Sequence, residues 1–180
     1  KGENIFKDAK EIGSIVKLKD IDFEKIENQL RKYDEINHFD YMEIQELIQK
    51  LIRQAKVLIE KYDVTVENPP YMGSGRMNDL LKSYIEDEYK DYKSDLFSTF
   101  FKKSCDMTKP NGFLGFMSPF VWMFIQSYEK LRDYFIKEKT ITSLIQLEYS
   151  GFEDATVPIC TFTLKNQPSN ILGEYIKLSD

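Results

Sequence analysis

A chain of 180 residues that is 42% hydrophobic and 14% aromatic carries enough apolar side chain for one folded core, which excludes a disordered tail. Its formal charge of −5 has the wrong sign for non-specific attraction to phosphate, so the chain alone is expected to bind duplex DNA weakly. The most apolar run, Phe113 to Ile125, falls short of the roughly 18 residues of a membrane span and contains Pro119, so no membrane role is expected.

Lys1-Gly2-Glu3-Asn4 opens into charged sequence, and no secretory leader is read there. Cys105 and Cys160 lie far apart with neither metal-ligand nor redox spacing, which points to a reducing cytoplasm. A single histidine, His38, gives no basis for a zinc site or a histidine triad, and no metal is expected.

In chain order, Phe6 to Leu18 reads as a turn at Gly13-Ser14 followed by a short β-branched strand. The period then changes to 3.6. Phe23, Ile26 and Leu30 mark one helix, and Ile44, Leu47, Ile48, Leu51, Ile52, Ala55, Leu58 and Ile59 mark a longer one after a loop near Asp34 to Asp40. Their apolar stripes suit core packing. Lys61 to Glu67 is a β-branched strand that ends at Asn68-Pro69-Pro70-Tyr71. Met72 to Arg76 is a flexible loop by composition, and Asn78 to about Tyr89 is helical. Ser94-Asp95 caps a further helix with Leu96, Phe97, Phe100, Phe101 and Cys105 on its apolar side, stopping before Pro110-Asn111-Gly112. A buried strand from Phe113 to Met117, a helix from Ser127 to Lys137, and strands from Thr140 to Leu147 and Val157 to Leu164 follow, with one more from Ile171 to Leu178. This alternation predicts an α/β sheet with helices packed on its faces, its last strands forming an antiparallel pair at one edge.

The tetrapeptide Asn68-Pro69-Pro70-Tyr71 stands at the carboxyl end of a strand, where open α/β sheets place their ligands. Its residue types suit one chemical problem. The exocyclic amino nitrogen of adenine is a poor nucleophile because its lone pair is delocalised into the ring. Two acceptors on its hydrogens, the Asn68 side-chain oxygen and the Pro69 carbonyl, would localise that pair and aim it. The two prolines hold both acceptors still, since each fixes its own φ and biases the residue before it to an extended conformation. Tyr71 offers a ring face for an extruded base. The same residues also suit a rigid turn, with Asn68 satisfying local backbone and Tyr71 filling a gap. On the tetrapeptide alone both readings stay open.

Around that motif the chain resembles the amino-methyltransferases, and within them the adenine-specific DNA methyltransferases of type IIG restriction-modification and BREX phage-defence systems. The similarity covers roughly residues 60 to 166. It rests on Tyr71-Met72-Gly73 after the prolines, on Ser94-Asp95-Leu96-Phe97 with Phe100-Phe101, and on Thr108 to Leu114 as a turn into a core strand. Ser118-Pro119 with Trp122 and Ser127 to Arg132 extend it. The resemblance implies a partial Rossmann-like class I methyltransferase sheet with helices on both faces and the antiparallel edge pair. Residues 1–60 are then a helical and strand lead-in, and residues 61–180 the C-terminal half of the catalytic domain. The implied activity is transfer of a methyl group from S-adenosylmethionine to the amino group of a flipped adenine in duplex DNA. Asn68, Pro69, Pro70 and Tyr71 would be catalytic, and Phe152 would stack on the other face of the base opposite Tyr71.

The match also has gaps. The family binds its cofactor through a glycine-rich loop upstream of the motif, whereas Gly2 and Gly13 are the only glycines before Asn68. Most of the S-adenosylmethionine site and the target-recognition domain or subunit are therefore expected outside this sequence, and the chain alone is expected to be inactive. Arg76 is the best placed of Arg76, Lys93, Lys102, Lys103 and Lys109 to meet DNA phosphates, with Lys109 a second candidate. Trp122 suits the core better than a pocket, and Glu148, Glu153 and Asp154 suit a solvated loop. Methyl displacement needs no strong general base, because the product ammonium can lose its proton to water. Methylation of a cytosine, an RNA base or a protein glutamine is the alternative within the enzyme class; a non-catalytic scaffold or interaction module is the alternative outside it.

Overall fold

The computed structural model describes residues 8–18, 21–32, 39–147 and 157–178, without the side chains of 39–41. They fall into two compact units, Val16–Glu60, and Lys1–Ile15 together with Lys61–Asp180.

The smaller unit holds both predicted helices, α2 (Phe23–Arg31) and α3 (Phe39–Ile59). Asp22 starts α2 by accepting a hydrogen bond from the Lys25 amide at 2.9 Å. The Lys56 ammonium ties the helices together through Glu27 at 2.6 Å. Ile52 and Ala55 are its buried apolar positions on α3.

In the larger unit the strand expected before Leu18 is absent. A helical turn, α1 (Ala9–Ile12), leads into a 3-10 turn at Gly13–Ile15, and residues 16–18 form no strand. The local signals in Asp8 to Glu11 favour that turn, and Gly13 ends it at φ 64. Ile15 is then buried by packing rather than by strand pairing, and its carbonyl accepts the Tyr89 hydroxyl at 2.6 Å.

The strand β1 (Tyr62–Glu67) is followed by the helices α4 (Asp79–Glu88) and α5 (Leu96–Met107). The strand β2 (Thr108–Pro119), the helix α6 (Glu129–Glu138), and the strands β3 (Thr140–Gln146), β4 (Ile159–Lys165) and β5 (Glu174–Lys177) complete the order. One sheet runs β1-β2-β4-β3-β5. β1 lies parallel to β2, β4 is antiparallel to both β2 and β3, and β5 is parallel to β3. The expected antiparallel pair is thus β3 and β4, with β4 inserted beside β2 and β5 occupying the edge outside them.

Pro110-Asn111-Gly112, expected as a turn ahead of β2, is an interruption inside it. Tyr62 pairs with Thr108 and Val64 with Phe113, so the residues between bulge out, with Asn111 at φ 67.

Alternation along β2 explains which face is buried. Leu114 and Phe116 point to the helices with Leu144, Phe162 and Leu164, whereas Phe113, expected inside a wholly buried strand, is 48% exposed. On the covered face Phe101 of α5 packs among Phe116, Phe162, Phe97 and Phe135, at centroid distances of 4.5, 5.3, 5.4 and 5.9 Å. Trp122 belongs to this cluster, against Phe162 and Phe135. Both α5 and α6 pack on that one face. The opposite face presents Val64, Val66 and Phe113 to solvent within the larger unit.

Candidate active site

The fold brings the motif to the carboxyl ends of two parallel strands. β1 ends at Glu67, Asn68 is exposed, Pro69 is buried and Pro70 is exposed. Tyr71 folds back so that its hydroxyl lies 3.1 Å from Asn68 Oδ1 and 3.4 Å from the Met117 carbonyl near the end of β2. Its ring is 38% exposed and stands edge-on to Phe97, at a centroid distance of 6.3 Å and 88°. Burial raises the Tyr71 phenol above its ordinary pKa, helped by the Cys160 thiol, so it remains a proton donor at neutral pH.

The chain after Tyr71 is pinned to the start of α5. Asp95 Oδ1 accepts hydrogen bonds from the Met72 amide at 2.9 Å and the Phe97 amide at 3.2 Å. The Leu96 amide donates to the Met72 carbonyl at 2.9 Å, and the Ser74 amide to the Ser94 carbonyl at 3.3 Å. One carboxylate therefore caps a helix and anchors the motif loop. Burial raises its pKa, against the backbone N–H groups of Met72, Phe97 and Leu96 that favour its charge. Asp95→Ala leaves the Met72 amide without this acceptor and is expected to cost about 1–3 kcal/mol, whereas Asp95→Asn keeps an acceptor and most of that stability. Urea denaturation of the three proteins checks the order.

Glu67, just before Asn68, points to the helix face and accepts from Ser104 Oγ at 2.8 Å. Burial raises its pKa, which the Ser104 bond only partly opposes. A raised carboxyl pKa means that ionisation is disfavoured in the folded state. The resulting penalty is absent below the ordinary glutamate pKa of about 4.3 and complete above the raised value. Glu67→Gln is accordingly expected to raise the melting temperature near neutral pH, with the gain fading as pH falls below the ordinary glutamate range. Equal melting shifts at both ends of that range would contradict it.

Of the other residues singled out in the sequence, Arg76 sits exposed in a 3-10 turn, Ser74–Arg76, five residues after Tyr71 in the pinned loop. Lys109 is not brought to the motif. It lies at the start of β2, beside the start of β1, and its ammonium meets both Asp63 carboxylate oxygens at 2.9 Å. Two parallel strands carry it to the sheet edge opposite Asn68, so it cannot share a phosphate with that site. Lys102 is engaged by Asp106 and Lys93 by Glu86. Phe152 and the carboxylates Glu148, Glu153 and Asp154 lie outside the described residues. Asp95, Phe97, Glu67, Ser104 and Met117 were not legible as members of the site, because the partners that make them so are far away in the sequence.

The Eco57I restriction-modification methylase family model matches residues 3–152. The adenine-specific methyltransferase BrxX of Escherichia coli (strain HS) is 31% identical over 171 residues, which is 92% of this chain and 14% of that protein. The adenine-specific methyltransferase PglX of Lacticaseibacillus casei (strain Zhang) is 32% identical over 151 residues, 82% of this chain and 12% of that protein. The chain thus spans a small part of the length of these curated relatives. Among solved structures, a class I S-adenosylmethionine-dependent methyltransferase from Listeria monocytogenes superposes with a TM-score of 0.53 at 19% identity, covering 68% of this chain and 38% of its own. The type ISP restriction-modification enzyme LlaGI, solved with a DNA substrate mimic, gives 0.52 at 18% identity over 84% of this chain and 17% of its own. The fold is that of class I methyltransferases, and with most of its length matched the chain belongs to the Eco57I restriction-modification methylase family.

Proposed function

We propose that this chain forms the base-receiving side of the active site of an adenine-specific DNA methyltransferase of a restriction-modification or phage-defence system. The observation that carries the reading is the exposed Asn68 amide, set at the carboxyl end of β1 between a buried Pro69 and the Tyr71 ring. Asn68 Oδ1 has two lone pairs, and the Tyr71 hydroxyl takes one. The other, together with the Pro69 carbonyl, is available to accept the two amino hydrogens of a flipped adenine. Accepting both would turn the nitrogen lone pair out of conjugation with the ring and toward an incoming methyl group. Tyr71 supplies the stacking face, and Phe97 stiffens it from the edge.

Phe152 is proposed as the second aromatic face. Support comes from topology. β3 runs parallel to β1 and β2, so Leu147 at its end and Pro158 before β4 both lie at the sheet edge that carries Asn68. Arg76, in the pinned loop, is proposed to meet a phosphate flanking the flipped base. S-adenosylmethionine, when bound, supplies an electrophilic sulfonium methyl group. Among the described residues, however, no glycine-rich turn follows a strand ahead of β1, and Gly13 ends a helical turn. The described residues therefore fit the acceptor side of the reaction and not the cofactor's cradle, and none is assigned to hold it.

The reading is tested with the full-length protein, labelled S-adenosylmethionine and duplex DNA. Label should appear on the amino nitrogen of adenine after nucleoside digestion. Label on cytosine, on RNA or on protein, or none at all, would overturn it.

A further inference from the structure

The Asn68 amide has two ends and only one of them is useful. Oδ1 can accept an amino hydrogen, whereas Nδ2 in its place would set donor against donor. The torsion that exchanges them is broad and nearly two-fold, so the prolines that fix the backbone leave the choice of end open. Something beside the side chain has to make that choice. The Tyr71 hydroxyl donates to Oδ1 at 3.1 Å.

That hydroxyl carries one proton and lies near two acceptors. The Met117 carbonyl is at 3.4 Å and Oδ1 is nearer, at 3.1 Å, so Oδ1 is the better placed of the two acceptors. The proton therefore goes to Asn68. The Tyr71 ring that carries it is held edge-on by Phe97, and the backbone after it is clamped to Asp95, so the donor has a fixed position.

We propose that the Tyr71 hydroxyl is a positioning residue for methyl transfer: it fixes the Asn68 amide with Oδ1 facing the bound base. This is a role separate from the stacking offered by the same ring, and it rests on the function proposed above. The hydroxyl touches Asn68 and not the reacting nitrogen. Its loss should therefore affect the rate of the bound complex and leave the entry of the base alone.

Tyr71→Phe keeps the ring and removes only the donor. In the full-length protein it is expected to lower kcat about five- to tenfold, with KM for duplex DNA unchanged. A 2-aminopurine placed at the target adenine should flip and emit as it does with wild type, because stacking survives. In an Asn68→Ala background, followed by single turnovers with radiolabelled cofactor, Tyr71→Phe should have no further effect, since no amide is left to orient. An unchanged kcat for Tyr71→Phe, a lost 2-aminopurine signal, or the same fold-loss in both backgrounds would overturn the inference while leaving adenine methylation standing. Failure of the wild-type protein to methylate adenine would overturn both.

Discussion

Asn68→Ala in the full-length protein is expected to slow methyl transfer to adenine by about 100- to 1,000-fold at saturating DNA and cofactor, the loss typical of one preorganised polar group in an active site. Affinity for the duplex should barely change, because Asn68 is one small exposed side chain and phosphate contacts dominate binding. The size of the loss follows from the role proposed for the amide. An acceptor that matters as the nitrogen becomes pyramidal contributes to the transition state more than to the bound complex, so its removal appears in kcat. Asn68→Asp keeps an oxygen acceptor and should retain more activity than Asn68→Ala. Single-turnover methylation of a duplex with one target adenine measures both. Activity of Asn68→Ala equal to wild type would remove Asn68 from the mechanism.

The second large effect lies in the core. Phe101 has no exposed surface and sits among Phe97 of its own helix, Phe135 of the neighbouring α6, and Phe116 and Phe162 from the strands beneath. Phe101→Ala opens a cavity between α5 and the sheet, for which about 3–5 kcal/mol of stability is expected to be lost. Because α5 also carries Asp95 and Phe97, the loss should reach the motif loop. Phe101→Leu refills much of the space and should recover most of it. Urea midpoints of the three proteins give the comparison; a loss for Phe101→Ala no larger than for an exposed site would mean that α5 does not rest on this ring.

The parts of the structure that were legible in the sequence share a cause. β1 and the place of Asn68 to Tyr71 at its end could be read because a β-branched run stopped by two prolines is a local signal, and α5 could be read from Asp95 and the spacing of Leu96, Phe97, Phe101 and Cys105. The strand expected after Gly13-Ser14 was misread because β-branched Ile15 and Val16 suit either a strand or a buried loop, and the Ile15 carbonyl bonds a distant tyrosine hydroxyl instead of a neighbouring strand. Lys109 looked suitable by charge alone; only the parallel pairing of β1 with β2 shows that it sits at the wrong end of the sheet. The second role of Asp95 was hidden for a related reason. Its cap is local, but its bond to Met72 closes a loop whose ends no pattern connects.

Within the sheet, β2 is the strand on which the others depend. Its parallel partner β1 is reached only through α4 and α5, and its antiparallel partner β4 only after α6 and β3. Neither pairing can form as a tight local hairpin, so the entropy of closing long loops falls due before either pairing rewards it. On the ribosome the emerging motif would therefore wait, with β1 already made and Asn68 unsupported, until α4 and α5 have been made and β2 has emerged to pair with it. Met117 and Tyr71 would come together only once β2 has closed on β1, so the geometry around Asn68 depends on a long-range pairing and not on local folding.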